Sequence, residues 1–174
     1  RLIGFLCQML QQCLGASGTI RFHLVGGGDE FEHTQRELGK IDAGGRVTMT
    51  GQIPVGEVPF HLSCVHACIL YLSDEFPDAY TDASRSSTKM FEYMAAGRVT
   101  VASRFGEARN ILEEGTTGFL VPNQPSAFAE RLLYLEQNPA VMERMRHDIA
   151  TTFREQYSHS VIVRRLAEWV KALS

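Results

Sequence analysis

The apolar positions of this chain change period several times, and the changes outline alternating helices and strands. Residues 2 to 14 repeat at helical spacing: Leu2, Leu6, Met9 and Cys13 share a face that Ile3, Leu10 and Leu14 widen. The segment Gly15 to Gly18 predicts where that helix ends. Ile20–Val25 reads as a strand, and Gly26, Gly27 and Gly28 make a tight turn behind it. Asp29 is placed to cap a surface helix reaching about Lys40, with Glu32 completing a capping box. That helix has a thin apolar face, Phe31 and Leu38. Arg46–Thr50 reads as a second strand closed by Gly51, and Glu57–Cys64 as a short helix. Ala67–Leu72 is almost wholly apolar, as a strand covered on both faces should be.

The next stretch, through Ser87, is polar and rich in turn formers. Long loops of this kind in compact domains tend to be functional. It runs into a helix from Thr88, stopped by Gly97. Val99–Ser103 and Gly118–Val121 read as two more strands. From Pro125 the pattern is helical throughout, with Pro125 and Pro139 suited to first helical turns and Asn138 capping the second. Three apolar rows follow: Phe128, Leu132 and Leu135; Met142, Met145, Ile149 and Phe153; and Ile162, Leu166, Trp169 and Leu173. The rows holding Met145 and Trp169 are predicted to be core.

Helices alternating with strands predict an α/β fold, a Rossmann-like doubly wound parallel sheet followed by C-terminal helices, with residues 1–174 forming one domain. Ligands in such sheets bind beyond the carboxyl ends of the strands. That selects the loops after Val25, Thr50, Leu72 and Ser103.

Composition narrows the function. The 174 residues are 44% hydrophobic and 21% charged, enough for one core. A net charge of -3, from 17 basic and 20 acidic residues, argues against a duplex nucleic-acid binder, which needs a basic face. No stretch approaches the roughly 20 apolar residues that span a bilayer. The opening RLIGFLCQMLQQCL begins with Arg1, yet Gln8, Gln11 and Gln12 interrupt it and no small-residue cleavage motif follows, so it reads as an amphipathic helix rather than a signal peptide. Cys7, Cys13, Cys64 and Cys68 form no CxxC, and Cys64, His66 and Cys68 are too loosely spaced for structural zinc. They read as buried thiols of a reducing compartment, and no metal or cofactor is expected.

Two segments carry candidate chemistry. The Gly26–Gly28 turn lets a ligand approach backbone amides and feeds a helix start that favours anions. A tight structural turn accounts for the same residues. The dinucleotide fingerprint is unmatched, because Phe31 stands where its last glycine belongs, and no acidic residue ends a second strand. A dinucleotide-binding or flavodoxin-like redox domain therefore lacks its signature. The second segment is Ser86, Ser87, Thr88, Lys89 and, one turn on, Glu92. A diphosphate there would meet open helix-end amides and the Lys89 charge, and Glu92 could accept two hydrogen bonds from vicinal sugar hydroxyls. Spacing alone equally allows Glu92 to pair with Lys89 or Arg98 on the surface.

The string STKMFEYMAAGRVTVASRFGEARNILEEGTTGFLVP resembles the signature of the family-four glycosyltransferases with the GT-B fold. LVGGGDE resembles the family's glycine turn, and RVTMTGQIPVGEVP its strand and base loop. The resemblance covers about residues 20 to 155. It implies the C-terminal, donor-binding half of a two-domain enzyme, whose N-terminal acceptor domain is not in this chain. The implied reaction is retaining hexosyl transfer from a nucleotide diphosphate sugar, without an obligatory metal. It implies donor-binding roles for Gly26, Gly27, Gly28, Gln52, Ile53 and Pro54, for Ser86, Ser87, Thr88 and Lys89 at the diphosphate, and for Glu92 at the ribose. It also implies a cytoplasmic enzyme, peripheral at the inner face of the membrane in its full-length form, and a last helix that crosses back to the N-terminal domain. Several positions depart from the pattern. Ser84 stands where the family's first acidic residue contacts the donor sugar, with Asp78 and Asp82 near it in sequence. Glu107 stands where the family has a second glycine, and Asn110 where it has Glu; no proline follows Arg98. These departures keep open a catalytically inactive nucleotide-sugar-binding or interaction module of the same fold.

Overall fold

The computed structural model describes residues 2–41, 44–72 and 87–173. The elements run α1 (Leu2–Ala16), β1 (Phe22–Leu24), α2 (Phe31–Gly39), β2 (Val47–Met49), α3 (Val58–Ser63), β3 (Ala67–Leu70), α4 (Thr88–Ala95), β4 (Val99–Ser103), α5 (Ala108–Ile111), β5 (Gly118–Val121), α6 (Pro125–Gln137), α7 (Pro139–Thr152) and α8 (His159–Ala172). A 3-10 turn, Val55–Glu57, leads into α3, and a π turn, Phe153–Tyr157, leads into α8. Among the described residues all strand pairs are parallel, and the ladders fall into two sheets, β1-β2 and β3-β4-β5. No ladder joins β1 to β3 among the described residues, so helices tie the two sheets together. α1 does this by lying on α6, which packs on β4 and β5, and on α2, which follows β1. Every residue of β4 is buried, so helices cover both its faces, α4 and α7 together with α6. This is the α/β, Rossmann-like layering that the alternation predicts.

The core follows the predicted rows for two of the three final helices. Phe128, Leu132 and Leu135 of α6 and Met145 and Ile149 of α7 are buried, with Met9, Leu10, Cys13 and Leu14 of α1 and Met90 and Met94 of α4. The row on α8 departs from the expectation of core. Ile162, Leu166, Trp169 and Leu173 are 46%, 57%, 61% and 69% exposed. The helix meets the body mainly through the π turn, so its amphipathic period reports a face that the described residues leave largely exposed. Cys64 is also exposed, against the expectation of four buried thiols, whereas Cys13 and Cys68 are buried. Burial pushes the Cys13 thiol up to about 11 and the Cys68 thiol up to about 12. The thiolate is the reactive form. Cys64 is therefore expected to react first with a thiol reagent near neutral pH, and Cys13 and Cys68 only on unfolding. Mass-spectrometric timing of the labels checks this order.

Several local signals resolve differently from the sequence reading. The α2 cap falls on Glu30 and not Asp29, without a side-chain cap bond, because the turn closes from Phe31 N–H to Gly28 O at 3.0 Å. Asn138 sits at the N-cap of α7, but its Nδ2 donates to Tyr134 O at 2.7 Å, closing α6 instead. The end of α1 is capped from a distance: Arg46 donates through Nη2 to Leu14 O at 2.8 Å and through Nη1 to Ser17 O. A cation on the last carbonyls complements the helix dipole and satisfies orphan acceptors. Arg46→Ala is expected to cost about 1 kcal/mol in urea unfolding, as for a lost hydrogen bond to a charged group that is partly exposed. The lysine variant should recover part of the loss.

The free edge of β5 is closed by side chains. Leu120 N–H donates to Glu114 Oε2 at 3.0 Å, and Leu120 O accepts from Arg104 Nη2 at 3.0 Å. Capping an edge this way removes a template for strand addition. On the other sheet, His23 and His61 tie β1 to α3 through ring nitrogens 2.8 Å apart. Thr48 Oγ1 lies 2.8 Å from His23 Nδ1 and 3.3 Å from Phe22 O, which links the same ring to the β1-β2 ladder.

Candidate functional site

The glycine turn and the second loop meet at the carboxyl ends of β1 and β2. Gly26 N–H donates to Gly51 O at 3.1 Å, and the two residues form an isolated antiparallel bridge. At Gly27 an added Cβ would lie 2.9 Å from Gln52 N and 3.1 Å from Gln52 Cβ. Backbone cannot yield there cheaply, so only glycine permits this approach. Gly26 and Gly28 take φ of 135° and 121°, where side chains are strained. The structure thus brings Gly26–Gly28 together with Gln52 and the loop running through Ile53 and Pro54. All three glycines, Gln52 and Pro54 are exposed, and Ile53 is half-buried. Gly27 and Gly28 make no backbone hydrogen bond through N–H among the described residues. One surface hollow, about 670 Å³, runs along α2 and β2, lined by Gln35, Lys40, Val47 and Met49, and neither Gly26–Gly28 nor Gln52 lines it.

The second predicted segment forms the start of α4. Ser87 is its N-cap in extended conformation and makes no side-chain cap bond. The first helical bond runs from Met90 N–H to Ser87 O at 3.0 Å, which leaves the Thr88 and Lys89 amides ahead of the ladder. Thr88, Lys89 and Glu92 are exposed, while Met90 and Met94 anchor the helix in the core. The surface pairing that spacing allowed does not form. Glu92 has no ion pair among the described residues, and Arg98 is buried with Nη2 on Ser63 O at 3.3 Å. Ser86, Ser84, Asp78 and Asp82 lie outside the described residues.

The carboxyl ends of β3 and β4 are laced by side chains that sequence reasoning missed. Leu72 N–H donates to Ser103 Oγ at 2.9 Å, and Asn123 Nδ2 donates to Leu72 O at 2.8 Å. Asn123 follows β5, so its amide reaches across the end of β4 to the end of β3. Among the described residues, neither the buried Oε2 of Glu107, at the N-cap of α5, nor the buried Oδ1 of Asn123 has a hydrogen-bond partner. The only sequence signal was that Glu107 replaces a glycine of the pattern. Among the described residues no three His, Cys, Asp or Glu side chains gather as a metal site would need. None of the described helices is long and apolar enough to cross a membrane.

Solved structures share this architecture. HepE from Anabaena, crystallised with UDP and glucose, superposes with a TM-score of 0.76 at 17% identity over 97% of this chain and 44% of its own. Sucrose-phosphate synthase from Thermosynechococcus elongatus gives 0.75 at 22% identity, over 96% of this chain and 42% of its own. TarM from S. aureus, in a complex that includes UDP, gives 0.76 at 17% identity, over 95% and 32%. The chain thus spans less than half the length of these structures, which at such identities establish the fold, one half of a GT-B architecture. No curated protein sequence matches. The family model of the group 1 glycosyl transferases matches residues 3–138, and the chain belongs to that family.

Proposed function

We propose that this protein binds a nucleotide diphosphate sugar over the carboxyl ends of its strands, as the donor half of a retaining hexosyltransferase. The observation that carries the reading is the close approach of Gly27 to Gln52, which presents two bare loops at the strand ends. In this reading the base lies against Gln52, Ile53 and Pro54, beside Gly26–Gly28. The diphosphate meets the amides at the start of α4, with Ser86, Ser87, Thr88 and Lys89 around it, and Glu92 takes the ribose hydroxyls. As the nucleoside diphosphate departs it gathers negative charge, which fixed amides and Lys89 stabilise in place of a metal. The anomeric carbon develops oxocarbenium character. HepE and TarM support the reading because they were crystallised with UDP.

The acceptor in this reading comes from a second domain, so the 174 residues alone should transfer no sugar. The exposed row Ile162, Leu166, Trp169 and Leu173 on α8 is the surface on which that domain would seat. The reading places the enzyme in the cytoplasm, which the four free cysteines suit, and peripheral to the inner face of the membrane. Calorimetry with UDP and GDP tests it: one of the two should bind saturably. Ser84, in place of the family's first acidic residue, supports a second reading, an interaction module that has lost catalysis. Absence of nucleotide binding, with a second domain supplied as well, would leave only the module. Turnover by this chain alone would refute the need for a second domain.

A further inference from the structure

Among the described residues, two buried oxygens at the strand ends have no hydrogen-bond donor: Glu107 Oε2 and Asn123 Oδ1. A buried polar atom left unpaired is costly, and a carboxylate oxygen more so than a neutral one. Both belong to loops that leave neighbouring strands at the same end. Ser103, the last residue of β4, accepts Phe105 N–H at 2.7 Å, and the chain reaches Glu107 two residues on. Asn123 is held over the end of β4 by its Nδ2 bond to Leu72 O, itself beside Ser103 Oγ. Its amide is oriented by that bond, because Nδ2 must face the carbonyl. Oδ1 is therefore the atom left over, and it can only accept.

Two acceptors without donors define the chemistry of what they would bind. A diphosphate offers only acceptor oxygens and would repel the Glu107 carboxylate. A sugar offers hydroxyls, each able to donate. We infer that Glu107 and Asn123 form the subsite for hydroxyl groups of the transferred sugar, and so decide which sugar the protein accepts. The inference rests on the donor-binding reading above and adds residues that the family resemblance does not assign.

The test compares each nucleoside diphosphate with its sugar conjugate by calorimetry: UDP with UDP-glucose, and GDP with GDP-mannose. The intact protein should bind one conjugate at least tenfold more tightly than the bare diphosphate. Glu107→Gln keeps the shape and removes the charge. It should cut that ratio fivefold or more and leave the bare diphosphate within twofold of its original affinity. Asn123→Ala should cut the ratio too, with a thermal melt confirming that the variant still folds. A ratio near one in the intact protein overturns the inference while leaving the donor-binding reading in place. So does a Glu107→Gln variant that changes melting temperature without changing the ratio, the result expected if these oxygens merely hold water. Binding of neither diphosphate nor conjugate overturns the donor-binding reading and the inference together.

Discussion

Replacing Phe128 with alanine is expected to destabilise the protein by about 3–5 kcal/mol, as for other fully buried aromatic side chains. The ring is 0% exposed and sits in α6, the helix that joins α1 to the second sheet. Phe5 of α1 meets it edge-on, with centroids 5.3 Å apart at 87°, and Tyr71 at the end of β3 lies 6.4 Å away. Truncation thus removes transfer free energy, leaves a cavity and breaks an aromatic pair that contributes about 0.5–1.5 kcal/mol more than its area. For a chain of this size each kcal/mol corresponds to about 2–4 °C in melting temperature. Phe128→Leu fills most of the space and should cost about 1–2 kcal/mol. The two variants, compared in urea with unchanged slope, separate packing from any change in the unfolded chain. A loss below about 1 kcal/mol for the alanine variant would mean that α1 is not locked to the core through α6.

The particular elements show what was legible in the sequence. The strands β4 and β5 appear at their predicted boundaries because Gly97, with φ of 63°, ends one helix sharply and Gly118 leaves no room for a side chain against Thr100 O. The first strand shrinks from Ile20–Val25 to Phe22–Leu24 because its ladder is shared only with Val47–Met49. Strand length there is a property of the pairing and not of the segment. The row on α8 has the same period as the row on α7, yet one is exposed and the other buried. Periodicity tells that a face is apolar and is silent on what lies against it. The site divides in the same way. Glycines report the approach of Gly27 to Gln52 in their own letters. Glu107 and Asn123 became visible only when folding buried an oxygen of each and left it without a donor.

A second charge that sequence did not single out lies at the joint between α1 and α6. Glu136 Oε1 accepts from the hydroxyls of Ser17 and Thr19, and these bonds, Ser17 first, hold its carboxyl below the usual glutamate value of 4.5. A lowered folded value means the contribution is complete above pH 4.5 and is lost as pH falls below it through the folded value. Glu136→Gln should therefore flatten the acid limb of the stability curve below about pH 4.5, leaving its slope above that pH unchanged. Melting temperatures across that range check the sign.

The Glu92→Ala variant is expected to lose about 1–3 kcal/mol of nucleotide affinity, roughly fivefold to 150-fold, as for removing a charged hydrogen-bond acceptor. The expectation follows from position. Glu92 stands one turn inside α4, exposed and without an ion pair among the described residues, behind helix-end amides that nothing from Ser87 caps. Its neighbours in the turn, Met90 and Met94, fix the helix in the core, so the carboxylate projects from a rigid support. An exposed glutamate with no structural partner can be removed at little cost to folding, so the melting temperature should stay within about 1–2 °C. Ribose recognition by this carboxylate needs two vicinal hydroxyls. The parent protein should accordingly bind the ribonucleoside diphosphate more tightly than its 2′-deoxy analogue, and Glu92→Ala should bind the two alike. Equal affinity for both analogues in the parent protein, or a deoxy penalty that survives in the variant, would remove Glu92 from the ribose and leave the start of α4 as an anion site without a sugar partner.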